Sequence, residues 1–288
     1  MSFSIVCSAV SEASVQAQSA RSGLSDLPAA DSGRPTLLAL SGVHRNFGGV
    51  QAVSDLSFDI RAGEIVGLIG PNGSGKSTTV NLISGTLPVS GGRILLADRD
   101  ITGLPVHYRV GSGIARTFQT TTLFAEFTVL EQVHAACHAR YQSGAGAAVM
   151  QSRVAREESA AQRTRAADIL ALTGLADCAG QTCASLSSAE QRLLMIATAL
   201  ATGPQLILLD EPAAGMVAVE RRALADLIRR IRDRGITVML IEHHMGLIME
   251  VCDRIVVLNF GRKIAEGAPS AIQSDPVVID AYLGTGGH

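Results

Sequence analysis

Short apolar runs bounded by glycine-bearing turns recur along the chain from residue 37, and they alternate with longer stretches of helical spacing. Leu37–Ser41, Leu56–Ile60, Glu64–Ile69 and Arg93–Asp98 read as strands. Thr128–Arg140 carries apolar residues at helical spacing. A Gly/Ala-rich break at Ser143–Ala148 separates it from a long polar-faced helix over about Ser152–Leu172. Alternation then resumes: strand Leu206–Leu209, helix Arg221–Arg232, strand Thr237–Ile241, helix Met245–Val251, strand Ile255–Leu258. Strands alternating with helices predict an α/β fold with a parallel sheet covered on both faces. The helical insert at about 122–185 interrupts that sheet and is expected to form its own lobe. Residues 1–36 lack such periodicity. Ser, Ala and Gln dominate there, with Pro and Gly at Pro28–Pro35, so a disordered N-terminal extension is expected, as is a flexible tail at 285–288.

The run Glu64–Ile69 leads directly into Gly70-Pro71-Asn72-Gly73-Ser74-Gly75-Lys76-Ser77-Thr78, followed by apolar Val80–Ile83. Strand, glycine loop and helix follow one another with the spacing G-x-x-x-x-G-K-[ST]. At ordinary residue frequencies, chance supplies those four fixed positions in roughly one chain in a hundred of this length. Backbone N–H groups of such a loop point inward, and the positive end of the following helix aims the same way. Lys76 then reaches the β- and γ-phosphates, and the Ser77 hydroxyl reaches Mg²⁺. Gly73 and Gly75 admit phosphate without a Cβ in its path. The sequence therefore predicts a nucleotide-binding protein. A second motif supports it: Leu206-Ile207-Leu208-Leu209 ends in Asp210-Glu211-Pro212. Beside the P-loop strand, Asp210 would hold Mg²⁺ through its water shell and Glu211 would polarise an attacking water.

Charge and composition narrow the partners. With 24 basic against 26 acidic residues and a net charge of −2, there is no basic footprint for nucleic acid. No apolar run approaches the ~20 residues of a membrane helix, so any membrane partner is expected to be a separate chain. The five cysteines (Cys7, Cys137, Cys178, Cys183 and Cys252) are scattered without C-x-x-C spacing, the pattern of free thiols in a reducing cytoplasm.

Over residues 37–284 the chain resembles the nucleotide-binding subunits of ABC transporters. The resemblance implies an α/β P-loop NTPase core with a mixed, mainly parallel sheet, an antiparallel β lobe and a helical insert lobe. In Arg116-Thr117-Phe118-Gln119, Gln119 matches the loop glutamine that touches Mg²⁺ and water and senses the membrane partner. Phe47, in Asn46-Phe47-Gly48-Gly49, stands where an aromatic stacks on adenine, although a core Phe fits the same letters. His243 matches the switch histidine at the γ-phosphate. Its neighbour His244 replaces a common Asp, so both imidazoles remain candidates. Within the superfamily the likeness is nearest to branched-chain amino acid uptake ATPases. It is carried by Arg116–Gln119 with Leu123-Phe124, by Asp210-Glu211-Pro212-Ala213-Ala214-Gly215, and by Ala281-Tyr282-Leu283-Gly284. Lipopolysaccharide-export and urea-uptake ATPases share parts of these stretches. The resemblance implies ATP and Mg²⁺ as ligands and Glu211, His243 and Gln119 as catalytic residues. As partners it implies integral-membrane permease subunits, a second ATP-binding subunit in a homo- or heterodimer, and an extracytoplasmic substrate-binding protein acting through the permease. The implied location is the cytoplasmic face of the cell membrane.

Two departures stand out. Where the family signature reads Leu-Ser-Gly-Gly-Gln or Leu-Ser-x-Gly-Gln/Glu, this chain has Leu186-Ser187-Ser188-Ala189-Glu190-Gln191. Ser187 and Glu190 form a capping box for the following helix, and in the family this helix end meets ATP held by the partner. Ala189 replaces a glycine there, at a cost of about 1–2 kcal/mol if the position needs positive φ. After Gly215, Met216-Val217-Ala218 replaces the usual Asn/Asp-Pro, removing an N-cap. Both breaks fall on surfaces that serve the partner's nucleotide, which suggests an asymmetric subunit, slow as a homodimer. A nucleotide-binding regulatory subunit with negligible turnover is the rival class, favoured by Ala189 and opposed by Glu211.

Overall fold

The protein is described by a computed structural model over residues 33–117, 123–137 and 153–283. Strands β1 (Thr36–Phe47) and β2 (Val50–Arg61) pair antiparallel, and β4 (Gly91–Leu96) and β5 (Arg99–Asp100) extend the sheet in the order β2-β1-β4-β5. A second sheet is built from β3 (Ile65–Ile69), β6 (Ile114–Arg116), β7 (Leu206–Asp210), β8 (Thr237–Ile241), β9 (Arg254–Asn259) and β10 (Arg262–Gly267). Its order is β10-β9-β3-β8-β7-β6, with every pairing parallel except β10 on β9. The expected mixed, mainly parallel sheet and antiparallel β sheet are both present.

Strands β3, β7 and β8 are buried at every residue, so their sequences are continuous apolar runs rather than alternations. Their side chains nevertheless divide between two cores. Ile65, Ile69, Ile207, Leu209, Val238 and Leu240 face one apolar cluster, while Val66, Leu68, Leu206, Leu208, Met239 and Ile241 face the other. The second cluster includes the antiparallel sheet and the P-loop helix α1 (Lys76–Ser84). The short helix α2 (Val106–Gly111) follows that sheet in the chain. On the opposite face lie α3 (Val129–Cys137), α4 (Arg153–Thr173), α5 (Ser188–Ala201), α6 (Ala218–Asp233), α7 (Met245–Val251), α8 (Pro269–Gln273) and α9 (Pro276–Leu283). Val129, Val133, Leu170 and Leu194 belong to the same cluster as the sheet residues. Residues of the helical insert therefore pack into the same apolar cluster as the sheet. The N-terminal boundary moves. Pro35 O accepts from Ala62 N at 2.9 Å and Arg34 Nη1 donates to Gly63 O at 3.0 Å, so the fold engages the chain from residue 34. The disorder expected for the N-terminal segment, up to residue 32, and the tail expected at 285–288 lie outside the described residues.

Candidate active site

Parallel strands place their C-terminal ends on one rim, and three of those ends carry the chemistry. Strand β3 runs into the glycine loop, β7 ends at Asp210, and β8 is followed by Glu242-His243-His244. Leu68 is in register with Ile241, and Ile241 with Asp210. Strand β8 thus lies between β3 and β7. This corrects the expectation that Asp210 sits on the strand next to the P-loop.

The loop's shape follows from its glycines. A Cβ on Gly70 (φ +151°) would stand 2.1 Å from Leu258 O, and one on Gly75 (φ +99°) 2.7 Å from Ala52 O. Gly73, also at positive φ, meets nothing within 4 Å and faces open space. Asn72, Gly73 and Ser77 are exposed at the loop mouth, whereas Pro71, Ser74 and Lys76 are buried and Thr78 is half-buried. Lys76 Nζ donates to Gly70 O at 2.7 Å and Pro71 O at 2.9 Å, curling back into the loop. Burial lowers its pKa, opposed by the negative charge of Glu211.

Asp210 is buried, and its Oδ2 pairs with Arg116 Nη2 at 2.9 Å. Arg116 also donates to Asn81 Oδ1 on the P-loop helix at 2.5 Å. Asp210 Oδ1 is buried with no hydrogen-bond partner among the described residues. Glu211 has a left-handed backbone, φ +51°, and its N–H donates to Ile241 O at 2.9 Å. That conformation is uncommon for a residue with a Cβ and costs on the order of 1 kcal/mol or more. It aims the side chain at His243, whose Nε2 lies 2.9 Å from Glu211 Oε1. His244 turns away: its Nδ1 accepts from Leu247 N at 3.4 Å and caps α7. Of the two imidazoles, His243 is the one that meets Glu211.

Phe47 is 43% exposed, which overturns the core alternative. The Arg45 guanidinium stacks over its ring at 4.7 Å, held by a hydrogen bond to Pro88 O. Gln119 lies outside the described residues. Ser187 caps α5 as expected, with Glu190 N donating to its Oγ and Glu190 Oε2 accepting from Ser187 N and Oγ. Ala189 lies in the first turn of that helix and is not at positive φ. The condition for backbone strain is therefore not met, and a Cβ adds only bulk. The contact α5 makes with the site comes from Arg192, which donates to Glu211 O at 3.4 Å. Val217 offers no side-chain cap to α6, as expected, although Glu220 Oε2 accepts from its N–H at 2.9 Å.

Arg116 and Glu242 were missed by sequence reasoning. Arg116 lies three residues before Gln119 in the chain, and Glu242 directly before His243. For Glu242 the available signal is a charged residue directly after a buried strand; Arg116 ends the three-residue β6, and nothing local marks it.

A buried acceptor carboxylate, a glycine loop with a buried lysine and a paired Glu–His on one rim are the parts of a nucleotide hydrolase. The ABC transporter family model matches residues 53–214. The chain belongs to the ABC transporter family of ATP-binding proteins. It is of the branched-chain amino acid transport type, since residues 262–288 match the model for branched-chain amino acid ATP-binding cassette transporters. As an ABC protein it is 40% identical to the high-affinity branched-chain amino acid transport ATP-binding protein LivG of Salmonella typhimurium, over 86% of this chain and 98% of LivG. Identity to the lipopolysaccharide export system ATP-binding protein LptB of Escherichia coli is 35%, over 86% of this chain and 97% of LptB. Among solved structures, a nucleotide-free ATP-binding cassette from an ABC transporter matches with a TM-score of 0.75 and 30% identity, covering 86% of this chain and 99% of that one. This ABC subunit is an ATPase that works with permease chains. Among the described residues, no helix is long and apolar enough to cross a membrane.

Proposed function

We propose that this ATPase energises uptake of branched-chain amino acids from the cytoplasmic face of the membrane. It would act through separate permease chains, with a second ATP-binding subunit and an extracytoplasmic substrate-binding protein delivering cargo. The match of the C-terminal segment to the branched-chain amino acid cassette model carries the choice of cargo. The greater identity to LivG than to LptB supports it.

The residues fit ATP with a divalent cation. The orphaned Oδ1 of Asp210 needs a donor or a cation, and Asp210 with the exposed Ser77 hydroxyl would hold Mg²⁺, with Gln119 completing the set. When bound, Mg²⁺ supplies charge neutralisation at the phosphates. The protein's own work is positioning. Gly70–Thr78 would cradle the phosphates, with Lys76 exchanging its two loop carbonyls for phosphate oxygens. Phe47, backed by Arg45, would stack on adenine. Glu211 would orient the attacking water and accept its proton, while His243, already paired with that carboxylate, would also serve the γ-phosphate. Ser187 and Ala189 would complete the partner's site. The experiment is uptake of labelled leucine by cells that depend on this subunit and its permease. Lys76→Ala should abolish uptake while lipopolysaccharide export is unaffected. Native uptake of leucine in cells lacking the subunit would refute the cargo.

A further inference from the structure

One buried acid beside the site has no part in those roles. Glu242 is 5% exposed and lies one residue past the end of β8. Its carboxylate accepts from backbone N–H groups in two different loops. Oε1 takes the N–H of Ala213 at 2.7 Å, and Oε2 takes those of His243 at 3.2 Å and His244 at 3.5 Å. Ala213 is two residues past Glu211 in the turn that leaves β7, whereas His243 carries the imidazole that meets Glu211. The regular ladder between β7 and β8 ends at Asp210–Ile241, and the bond from Glu211 N to Ile241 O is the last backbone tie. Beyond that point Glu242 continues the connection with a side chain.

We propose that Glu242 is a positioning residue, a buried carboxylate clamp that locks the loop after Glu211 to the loop carrying His243. By holding both, it sets the Glu211–His243 geometry for hydrolysis and passes any displacement of Ala213–Gly215 on to His243. The proposal rests on the roles given above to Glu211 and His243. An ionised carboxylate is acceptor-only and so matches a ring of N–H donors. An amide turns its NH₂ toward at least one of them, donor against donor. Glu211 sits at φ +51°, a backbone state that persists only where its surroundings over-determine it. The loop also borders a 320 Å³ cavity lined by Glu211, Gly215, Arg221 and His243, so it is open to whatever approaches the rim.

The test is Glu242→Gln in the full chain. ATP affinity, read with a fluorescent analogue, should stay within about twofold, and kcat should fall about tenfold to a hundredfold with KM little changed. In a His243→Ala background, the same change should lower the single-turnover rate far less than it does alone, because the clamp acts through that histidine. Native kcat in Glu242→Gln, or fully additive losses in the double variant, overturns the proposal. Should the Gln variant fail to fold, hydrogen exchange on the unaltered chain decides. The Ala213 and His243 amides should be slow together, and a fast Ala213 beside a slow His243 overturns the clamp. If His243→Ala leaves kcat unchanged, the reading of the site falls and the clamp with it. If His243→Ala is inactive while Glu242→Gln is native, the clamp alone falls.

Discussion

Lys76 shows how one side chain carries both binding and pH response. Burial lowers its pKa, so the folded ammonium is lost below the ordinary value of 10.5, whereas the unfolded chain keeps its proton to that value. Two opposite trends follow. As pH rises through the lowered pKa, the nucleotide-free fold gains stability, because a buried charge is removed. ATP affinity falls over the same interval, because the phosphates lose their cation. Titrating affinity from pH 7 to 10.5 should show this fall, and Lys76→Arg should flatten it. Glu211→Gln should keep ATP binding and nearly abolish turnover. Turnover close to native would remove Glu211 from the chemistry. Most of these residues were legible in advance. The P-loop and the Asp210-Glu211 pair are contiguous letters whose chemistry depends on local geometry. Choosing His243 over His244 needed the start of α7, because one imidazole is spent on a cap. Arg116 as the counter-ion of Asp210 depends on two strands meeting across 94 residues, and no local pattern announces that.

At the scale of elements, the P-loop helix is pinned at its far end by an arginine from outside it. Arg109 of α2 is 1% exposed and donates to Leu82 and Ile83 carbonyls in the last turn of α1, and to Thr102 and Leu104 carbonyls. The negative end of the α1 dipole thus meets a buried cation. Burial lowers the pKa of Arg109, with Asp100 opposing. Arg109→Leu should cost about 3 kcal/mol or more in urea unfolding, since several buried carbonyls lose their donor. A loss under 1 kcal/mol would mean that water satisfies them instead. The buried strands of the parallel sheet and the amphipathic helices follow the sequence pattern to within a few residues. By contrast, β1 runs six residues past the expected Leu37–Ser41, and β2 starts six residues before the expected Leu56–Ile60. Thr237–Ile241 and Met245–Val251 coincide with β8 and α7. The elements that sequence reasoning missed are short or polar. Three-residue β6 has no periodicity to detect, and β10 (Arg262–Gly267) is charged because it lies on an edge and is held by the Arg254–Glu266 and Lys263–Glu266 pairs.

At the scale of the molecule, the fold engages the chain from residue 34 onward. A chain beginning at Gly33 should melt cooperatively and bind ATP like the full protein. Aggregation or lost binding would show that the preceding residues pack on the domain. Fold class was legible because alternating strands and helices leave few topologies. Which cluster the insert's helices join was not, since that depends on packing rather than on a helix's own pattern. That arrangement has a thermodynamic consequence. The central sheet is a partition between two apolar compartments, one holding Leu40 and Ile94, the other Leu200. Leu40 and Ile94 are register partners, so Leu40→Ala and Ile94→Val should be coupled by about 0.5 kcal/mol or more in a double-mutant cycle. Leu40→Ala and Leu200→Ala, on opposite sides of the partition, should add to within about 0.5 kcal/mol. A void opened in one compartment would then be healed or endured there alone, and each compartment would accumulate substitutions on its own account.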